Sequence, residues 1–343
     1  MHYTVHLCNA NRRMKQMKFV VEKCSEAASR LGHLELQKPS GGVNGYASPL
    51  FFIHTLAGSV PHITREVFDM MFDDQECKPP VQMSIDTTYS FHEAVGPSGM
   101  NLSKFVGLED SPCLLTVLNP AENFLPGYND KRGISIWPRL GRRTLDLKTF
   151  TKIVTDFQPC AYQCMNDYDV SSVTMEKRLK KSTARSVDYL NEVIANSKES
   201  KSSLWVPVEP AWFLVNEEEG EKTLAALLEN RDEFQAFVVK RNYDETVDFL
   251  ESFRKISRKL PTDKFRYVSG VFSLSEIIEL VLEGVDAFDS SIITQLSEDK
   301  KALVLPLDKR AASVNERLPT VESGSDNLVD DCSGFILDLK DKK

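Results

Sequence analysis

The stretch RYVSGVFSLSEIIELVLEGVDAFD, Arg266 to Asp289, contains one complete structural unit. The apolar run Tyr267 to Val271 reads as a strand. Ser273 with Glu276 three residues on is a capping box, in which side chain and backbone satisfy each other's orphan N–H groups at a helix start. Ile277, Ile278, Val281 and Leu282 recur at helical spacing and predict the buried face of that helix. Gly284 stops it. The chain turns apolar again at Val285, Ala287 and Phe288, so the unit is strand, helix, strand, with Asp289 at the carboxyl end of the second strand. In an α/β barrel that end of the strands is where sites are built.

The same alternation extends in both directions. Phe19 to Cys24 begins as a strand, Ser40 to Pro49 is a Gly/Pro/Ser-rich loop, and it leads into Leu50 to Ile53. Gly58 to Thr64 predicts a turn before a helix at Arg65 to Phe72. Asp86 to Glu93 and Cys113 to Leu118 are further strand or loop candidates. Ile134 to Trp137 reads as a strand, followed by the turn Arg139 to Arg142 and a helix over Leu147 to Phe157. Ala161 to Met165 predicts a buried strand, Met175 to Ile194 a helix, Leu204 to Val208 a strand, and Glu221 to Leu228 a helix. Ala236 to Val239 is then a strand and Thr246 to Leu260 a helix. Alternating strands and helices argue a parallel α/β fold, and no GxGxxG follows the first strand as a dinucleotide-binding sheet requires. The predicted architecture is a (β/α)8 TIM barrel over 19–306, with an N-terminal extension at 1–18 and a flexible tail carrying one short strand at 307–343.

Composition limits the function. The chain has 343 residues, 41% hydrophobic and 27% charged, with 42 Lys and Arg against 50 Asp and Glu, a net charge of −8. An acidic chain repels phosphate and needs a local basic face, or a basic partner, to hold nucleic acid. Seven scattered cysteines suit free thiols in a reducing compartment. Cys160 and Cys164 lie four apart with no histidine or further cysteine nearby, so they read as buried side chains at a strand rather than metal ligands. No apolar run is long enough to span a membrane. Arg12, Arg13, Lys15 and Lys18 precede the first acid, Glu22, as in a transit peptide, but the segment lacks the amphipathic, Ser-rich character of one.

Five stretches in order carry a resemblance. They are Pro49 to Phe52 with Gly58 to Thr64, Lys104 to Gly107, Ile134 to Trp137 with Gly141-Arg142, Ser269 to Val271, and Gly284 to Asp289. Together they resemble the queuine tRNA-ribosyltransferase family, over about Phe19 to Leu305 and weakly over Phe335 to Lys340, and are closer to its non-catalytic accessory branch. The resemblance implies a barrel that serves the exchange of guanine for queuine at the tRNA anticodon wobble position, through an aspartate nucleophile on a late strand. Asp289 matches that position. The residues after it do not match: catalytic members continue Cys-Val-x-Pro-Thr-Arg, and this chain has Ser290-Ser291-Ile292-Ile293-Thr294-Gln295. The family's acid/base loop, Asp-Ser-Gly-Gly-Phe-Gln, corresponds to Leu114 to Pro120, which has no carboxylate and no glycine pair. The base-recognition aspartate aligns with Asn166 or Asp167, and the glycine-rich loop with Lys240-Arg241-Asn242-Tyr243. The family also carries zinc on three cysteines and a distant histidine beyond the last strand, and this sequence ends at Lys343 before those ligands. It is therefore expected to be either a natural short form or a truncated sequence, with no zinc ligands among its own residues.

The expected role is pairing with a catalytic subunit in a heterodimer and contacting tRNA through that complex. Cytoplasmic location, with peripheral association with the mitochondrial outer membrane, rests on the resemblance alone. The alternative is an active divergent transglycosylase with Asp289 as nucleophile. Against it, Asp289 without an acid/base partner reads as a hydrogen-bonding or capping carboxylate. Asn166, Asp167 and Asp169 read as a solvated loop, and Lys177, Arg178, Lys180, Lys181 and Arg185 as a solvated helical face. The candidate substrate-binding residues are Arg142, Arg143, Lys180 and Arg185, with Arg139 beside them. His54 and His62 read as structural hydrogen-bonders.

Overall fold

Eight parallel strands hydrogen-bond into a closed ring in the computed structural model, which describes residues 17–25, 28–73, 75, 77–122, 128–197, 200–241, 248–303 and 336–338. Three antiparallel strands come first, β1 (Met17–Cys24), β2 (Arg30–Gln37) and β3 (Val43–Ser48). The ring begins with β4 (Leu50–His54), β5 (Val81–Ser84) and β6 (Cys113–Thr116). A hairpin of β7 (Ile134–Ile136) and β8 (Arg143–Leu145) interrupts it. The ring resumes with β9 (Ala161–Gln163), β10 (Ser203–Pro207), β11 (Ala236–Lys240), β12 (Phe265–Ser269) and β13 (Ala287–Asp289), which pairs back onto β4. Outside the ring, β14 (Lys301–Leu303) pairs with β15 (Ile336–Asp338), the short strand expected near Phe335 to Leu339.

Helices surround the ring. After β4 comes α1 (Arg65–Met71); after β5 come α2 (Ile85–Thr88), α3 (His92–Ser98) and α4 (Leu102–Phe105). Then come α5 (Leu147–Phe157), α6 (Glu176–Asn196), α7 (Pro210–Val215), α8 (Glu217–Leu228), α9 (Phe249–Ser257), α10 (Leu274–Leu282) and α11 (Ser291–Glu298). None of these is long and apolar enough to cross a membrane. The predicted helix over Thr246 to Leu260 is seen as α9, and residues 242–247 lie outside the described residues.

Alternation along the strands makes two cores, one inside the ring and one under the helices. Inside, Phe52, Trp205, Phe265 and Tyr267 are fully buried and pack as tilted and edge-on rings 5.5 to 5.8 Å apart. The antiparallel sheet plugs this core from the amino end of the strands with Met17, Leu34 and Leu36. The Trp205 indole N–H donates to Met17 Sδ at 3.1 Å, so even the one polar atom of that ring is met by the plug. Met17 and Lys18 are thus the start of β1, inside the segment assigned to the extension; residues 1–16 lie outside the described residues, as does most of 307–343.

The plug is fastened by charge. Arg30 of β2 is 3% exposed and forks onto Asp286, Nε to Oδ1 at 3.0 Å and Nη2 to Oδ2 at 2.6 Å. Its remaining donors reach the carbonyls of Thr262 and Lys264. Asp286 also accepts from Arg266 N at 2.8 Å. The pair is buried, bidentate and hydrogen-bond saturated, the condition under which desolvation of two ions is offset.

The unit from Arg266 to Asp289 folds largely as its pattern predicts. Ser273 and Glu276 form both halves of the capping box. Gly284 has φ 89°, and a Cβ there would lie 2.7 Å from the Ala28 carbonyl, so the glycine both ends α10 and admits the plug. Half of the predicted face holds: Ile277 and Val281 pack partly buried against the core beside the buried Leu280, while Ile278 and Leu282 are 62% and 53% exposed. The apolar pattern misplaces two strands. Asp86 to Glu93 is helical, because the strand is Val81–Ser84, whose buried Gln82 and Ser84 hide its apolar signature. Ser40 to Pro49 is mostly β3, since only the turn at 38–42 is loop and pairing with β2 overrides its glycines.

Replacing Arg30 by Ala strands a buried carboxylate. We expect a loss of about 3–5 kcal/mol, read by urea unfolding, with a larger loss than for any exposed pair such as Arg65–Asp69.

Candidate functional site

The carboxyl ends of the ring strands converge on a polar mouth. His54 ends β4, Asp86 comes after β5, Asn119 after β6, Asn166 and Asp167 after β9, and Glu209 after β10, while Lys240 ends β11 and Asp289 ends β13. A barrel dictates this, because inward residues past the last ladder bond face the opening.

The mouth is occupied by its own hydrogen bonds. His54 is 1% exposed, with Nδ1 at 2.9 Å from Thr294 Oγ1 and Nε2 at 2.8 Å from Asn119 Oδ1. His62 instead lies exposed on the loop before α1, with φ 62°. Asp86 accepts from the backbone N–H of Thr87 and of Asn119, each at 2.8 Å. Burial pushes its carboxyl up to about 6, against the lowering effect of Ser84, of the Asn119 N–H and of Lys240. Asn166 Nδ2 donates to Glu209 Oε1 at 2.5 Å. Lys240 stands within electrostatic reach of Asp86, Glu209, Asp289 and Glu122, and desolvation holds its ammonium below the usual lysine range although these acids pull it up.

Asp289 lies at the end of the unit that the sequence marks most clearly, but it faces inward. It is 2% exposed; Oδ2 accepts from Gly270 N at 2.9 Å and the Tyr267 hydroxyl at 3.3 Å, and Oδ1 from Ser291 N at 3.0 Å. Gly270 has φ 135°, and a Cβ there would meet Arg241 Cβ at 2.9 Å. Asp289 therefore ties β12 to the start of α11. In the position of an acid/base loop stands Asn119, whose amide serves His54 and Glu122.

The loop after β9 departs from the solvated form its composition predicts. Asn166, Asp167 and Asp169 are buried, at 2%, 0% and 6% exposure. Arg178 forks onto Asp167 at 2.7 and 2.8 Å and reaches Asp169 at 3.2 Å, while Arg185 meets Asp167 at 2.6 Å. Two of the five cations assigned to a solvated helical face therefore turn inward; Lys177, Lys180 and Lys181 do not. Arg142 stacks over Tyr128 and donates to Ser135 Oγ, and Arg143 is exposed on β8. The four candidate binding residues thus share one side of the mouth, but the charge of Arg185 is matched by Asp167.

Asp86 and Glu209 are buried mouth positions that the sequence reading does not single out. Their signal is positional, an acid one or two residues past a buried strand, and at Asp86 the misplaced strand masks it. Cys24, Cys77, Cys113, Cys160 and Cys164 are free thiols. Among the described residues no three His, Cys, Asp or Glu side chains are placed to hold a metal ion.

The family model for queuine tRNA-ribosyltransferase matches residues 24–335. The chain belongs to this family. Similar proteins include queuine tRNA-ribosyltransferase accessory subunit 2 of Aedes aegypti, 26% identical over 329 residues, covering 93% of this chain and 77% of the relative. The proteins of the same name in Ixodes scapularis and Caenorhabditis briggsae are 29% identical over 292 residues and 28% over 310. Those matches cover 83% and 88% of this chain, and 74% and 80% of the relatives. The carboxylates of the mouth are spent on the fold.

Two measurements check this. Asp289→Ala removes three acceptor bonds and should cost at least about 2 kcal/mol in urea unfolding. Asp86 binds its proton more tightly folded than unfolded, so the fold gains stability from it as pH falls from about 6 toward the ordinary carboxylate range, and gains none above that window. The stability-versus-pH curve of Asp86→Asn should lose that component.

Proposed function

We propose that this chain is a non-catalytic subunit of queuine tRNA-ribosyltransferase, pairing with a catalytic subunit that exchanges guanine for queuine in tRNA. The observation that carries the reading is Asp289, whose two oxygens are both engaged by Gly270, Tyr267 and Ser291 at 2% exposure. Nucleophilic attack needs a carboxylate oxygen open to the ribose and a separate acid/base group beside it. Both oxygens of Asp289 are already bonded, and the loop Leu114 to Pro120 in the acid/base position carries no carboxylate; the carboxylates that remain in the mouth, Asp86 and Glu209, are held by backbone N–H groups, Asn166 and Lys240. The names of the similar proteins support the accessory role. The partner supplies nucleophile and acid/base, and this subunit contributes fold stability and surface. Cytoplasmic location and peripheral association with the mitochondrial outer membrane accompany the reading on resemblance alone.

The test is incorporation of labelled guanine into substrate tRNA by this chain, by a catalytic subunit, and by the two mixed. Incorporation is expected in the mixture, unchanged when this chain carries Asp289→Asn under conditions where circular dichroism shows it folded. Incorporation by this chain alone that disappears with Asp289→Asn would make it the catalyst and reject the proposal.

A further inference from the structure

The cations of this acidic chain are unevenly placed. Between Tyr128 and Arg185 there are twelve Lys and Arg against six Asp and Glu, in a chain with 42 against 50 overall. The structure gathers most of them on one rim of the mouth, where the β7–β8 hairpin leans on the loop after β9 and on α6. Asn129 Nδ2 donates to Asp167 Oδ1 at 3.1 Å, Arg185 donates to the Asp130 carbonyl at 3.2 Å, and the Tyr168 hydroxyl donates to the Ser135 carbonyl. A cleft between hairpin and helix is lined by Lys131, Arg178, Lys181 and Arg185 among others.

All but one of the acids of this rim are already committed. Asp167 and Asp169 are buried under Arg178 and Arg185. Asp130 is chelated by Arg132, whose guanidinium and backbone hold its carboxyl down at about 2, and Asp146 caps α5 through Thr149 N. Glu176 is the exposed acid of the first turn of α6. By contrast Lys131, Arg139, Arg143, Lys177, Lys180 and Lys181 are unburied and form no ion pair among the described residues. Lys177, Lys180 and Lys181 share one face of α6 by their three- and four-residue spacing. An aromatic pair sits between helix and hairpin tip: Tyr128, 43% exposed, carries Arg142 on its ring at 4.9 Å and meets Trp137 edge-on at 5.7 Å.

We propose that this strip, from the β7–β8 hairpin to the first turns of α6, is the surface through which the subunit holds the phosphate backbone of tRNA. A protein–protein interface is depleted of charge at its core, whereas nucleic-acid surfaces are cation-rich with interleaved aromatics, as here. Committed acids and uncommitted cations leave a positive field that phosphate neutralises with release of counterions. Leu140 and Met175, exposed at its two ends, give it an apolar border. This inference rests on the accessory-subunit reading, because it makes the strip one half of a composite tRNA surface.

The test compares the triple charge reversal Arg143→Glu, Lys177→Glu, Lys181→Glu with a control reversal of three exposed lysines elsewhere, Lys18→Glu, Lys201→Glu, Lys222→Glu, each in complex with a catalytic subunit. The probe is a fluorescent substrate tRNA transcript, titrated at several salt concentrations, with complex formation measured separately by sedimentation velocity. The strip variant is expected to bind about tenfold or more weakly and to flatten the log Kd against log salt slope by about 2–3, while the control stays near the parent. Equal loss in both variants, or no loss in the strip variant, overturns the proposal while leaving the pairing intact. Loss of complex formation by the strip variant alone makes the strip a subunit interface and also overturns it. Failure of the parent chain to pair at all is instead a failure of the accessory-subunit reading.

Discussion

The contact on which this barrel depends is the buried fork between Arg30 and Asp286. A ring of eight strands has two open ends, and the aromatic core within it must be sealed at one of them to stay dry. The antiparallel sheet supplies the seal, but the apolar contacts of Met17, Leu34 and Leu36 are non-directional. The ion pair removes that freedom, because a guanidinium fork accepts one geometry and a buried charge left without it is costly. The same carboxylate takes the Arg266 N–H, so sheet, β12 and β13 are set by a single side chain.

At the opposite end the constraint runs the other way. An active mouth keeps charged groups unsatisfied so that a substrate can complete them, and stability is sacrificed to that end. Here Asp289 is completed by Gly270 and Ser291, and Asp86, Asn119 and His54 complete one another. The result is a mouth that supports the fold while its outer rim, where Arg143 and the α6 lysines stand, stays exposed.

Much of this is legible in the sequence, and where the sequence misleads there are physical causes. The unit from Arg266 to Asp289 can be read because its cap, stop and apolar runs are local signals. Asp289 can be doubted as a nucleophile because Ser290 to Gln295 departs from the family's catalytic continuation. The strand β5 escapes because Gln82 and Ser84 are buried among polar partners, so apolar periodicity does not mark it. The burial of Asp167 is invisible because its partners, Arg178 and Arg185, come from a helix eleven and more residues later, and the turn of that helix decides which cations face in. Ile278 and Leu282 illustrate the converse: periodicity finds an apolar face and cannot tell that α10 keeps part of it outside.

The seal also governs the order of assembly. Arg30 and its carboxylate are 256 residues apart, and β4, only one residue beyond the sheet, finds one of its two neighbours in β13. The sheet therefore emerges before every strand of the ring that it seals, and its docking site is completed by the last of those strands. Until the ring closes, Leu34 and Leu36 have no core to cover, and that closure is a long-range event of the kind that slows folding and exposes apolar surface to aggregation.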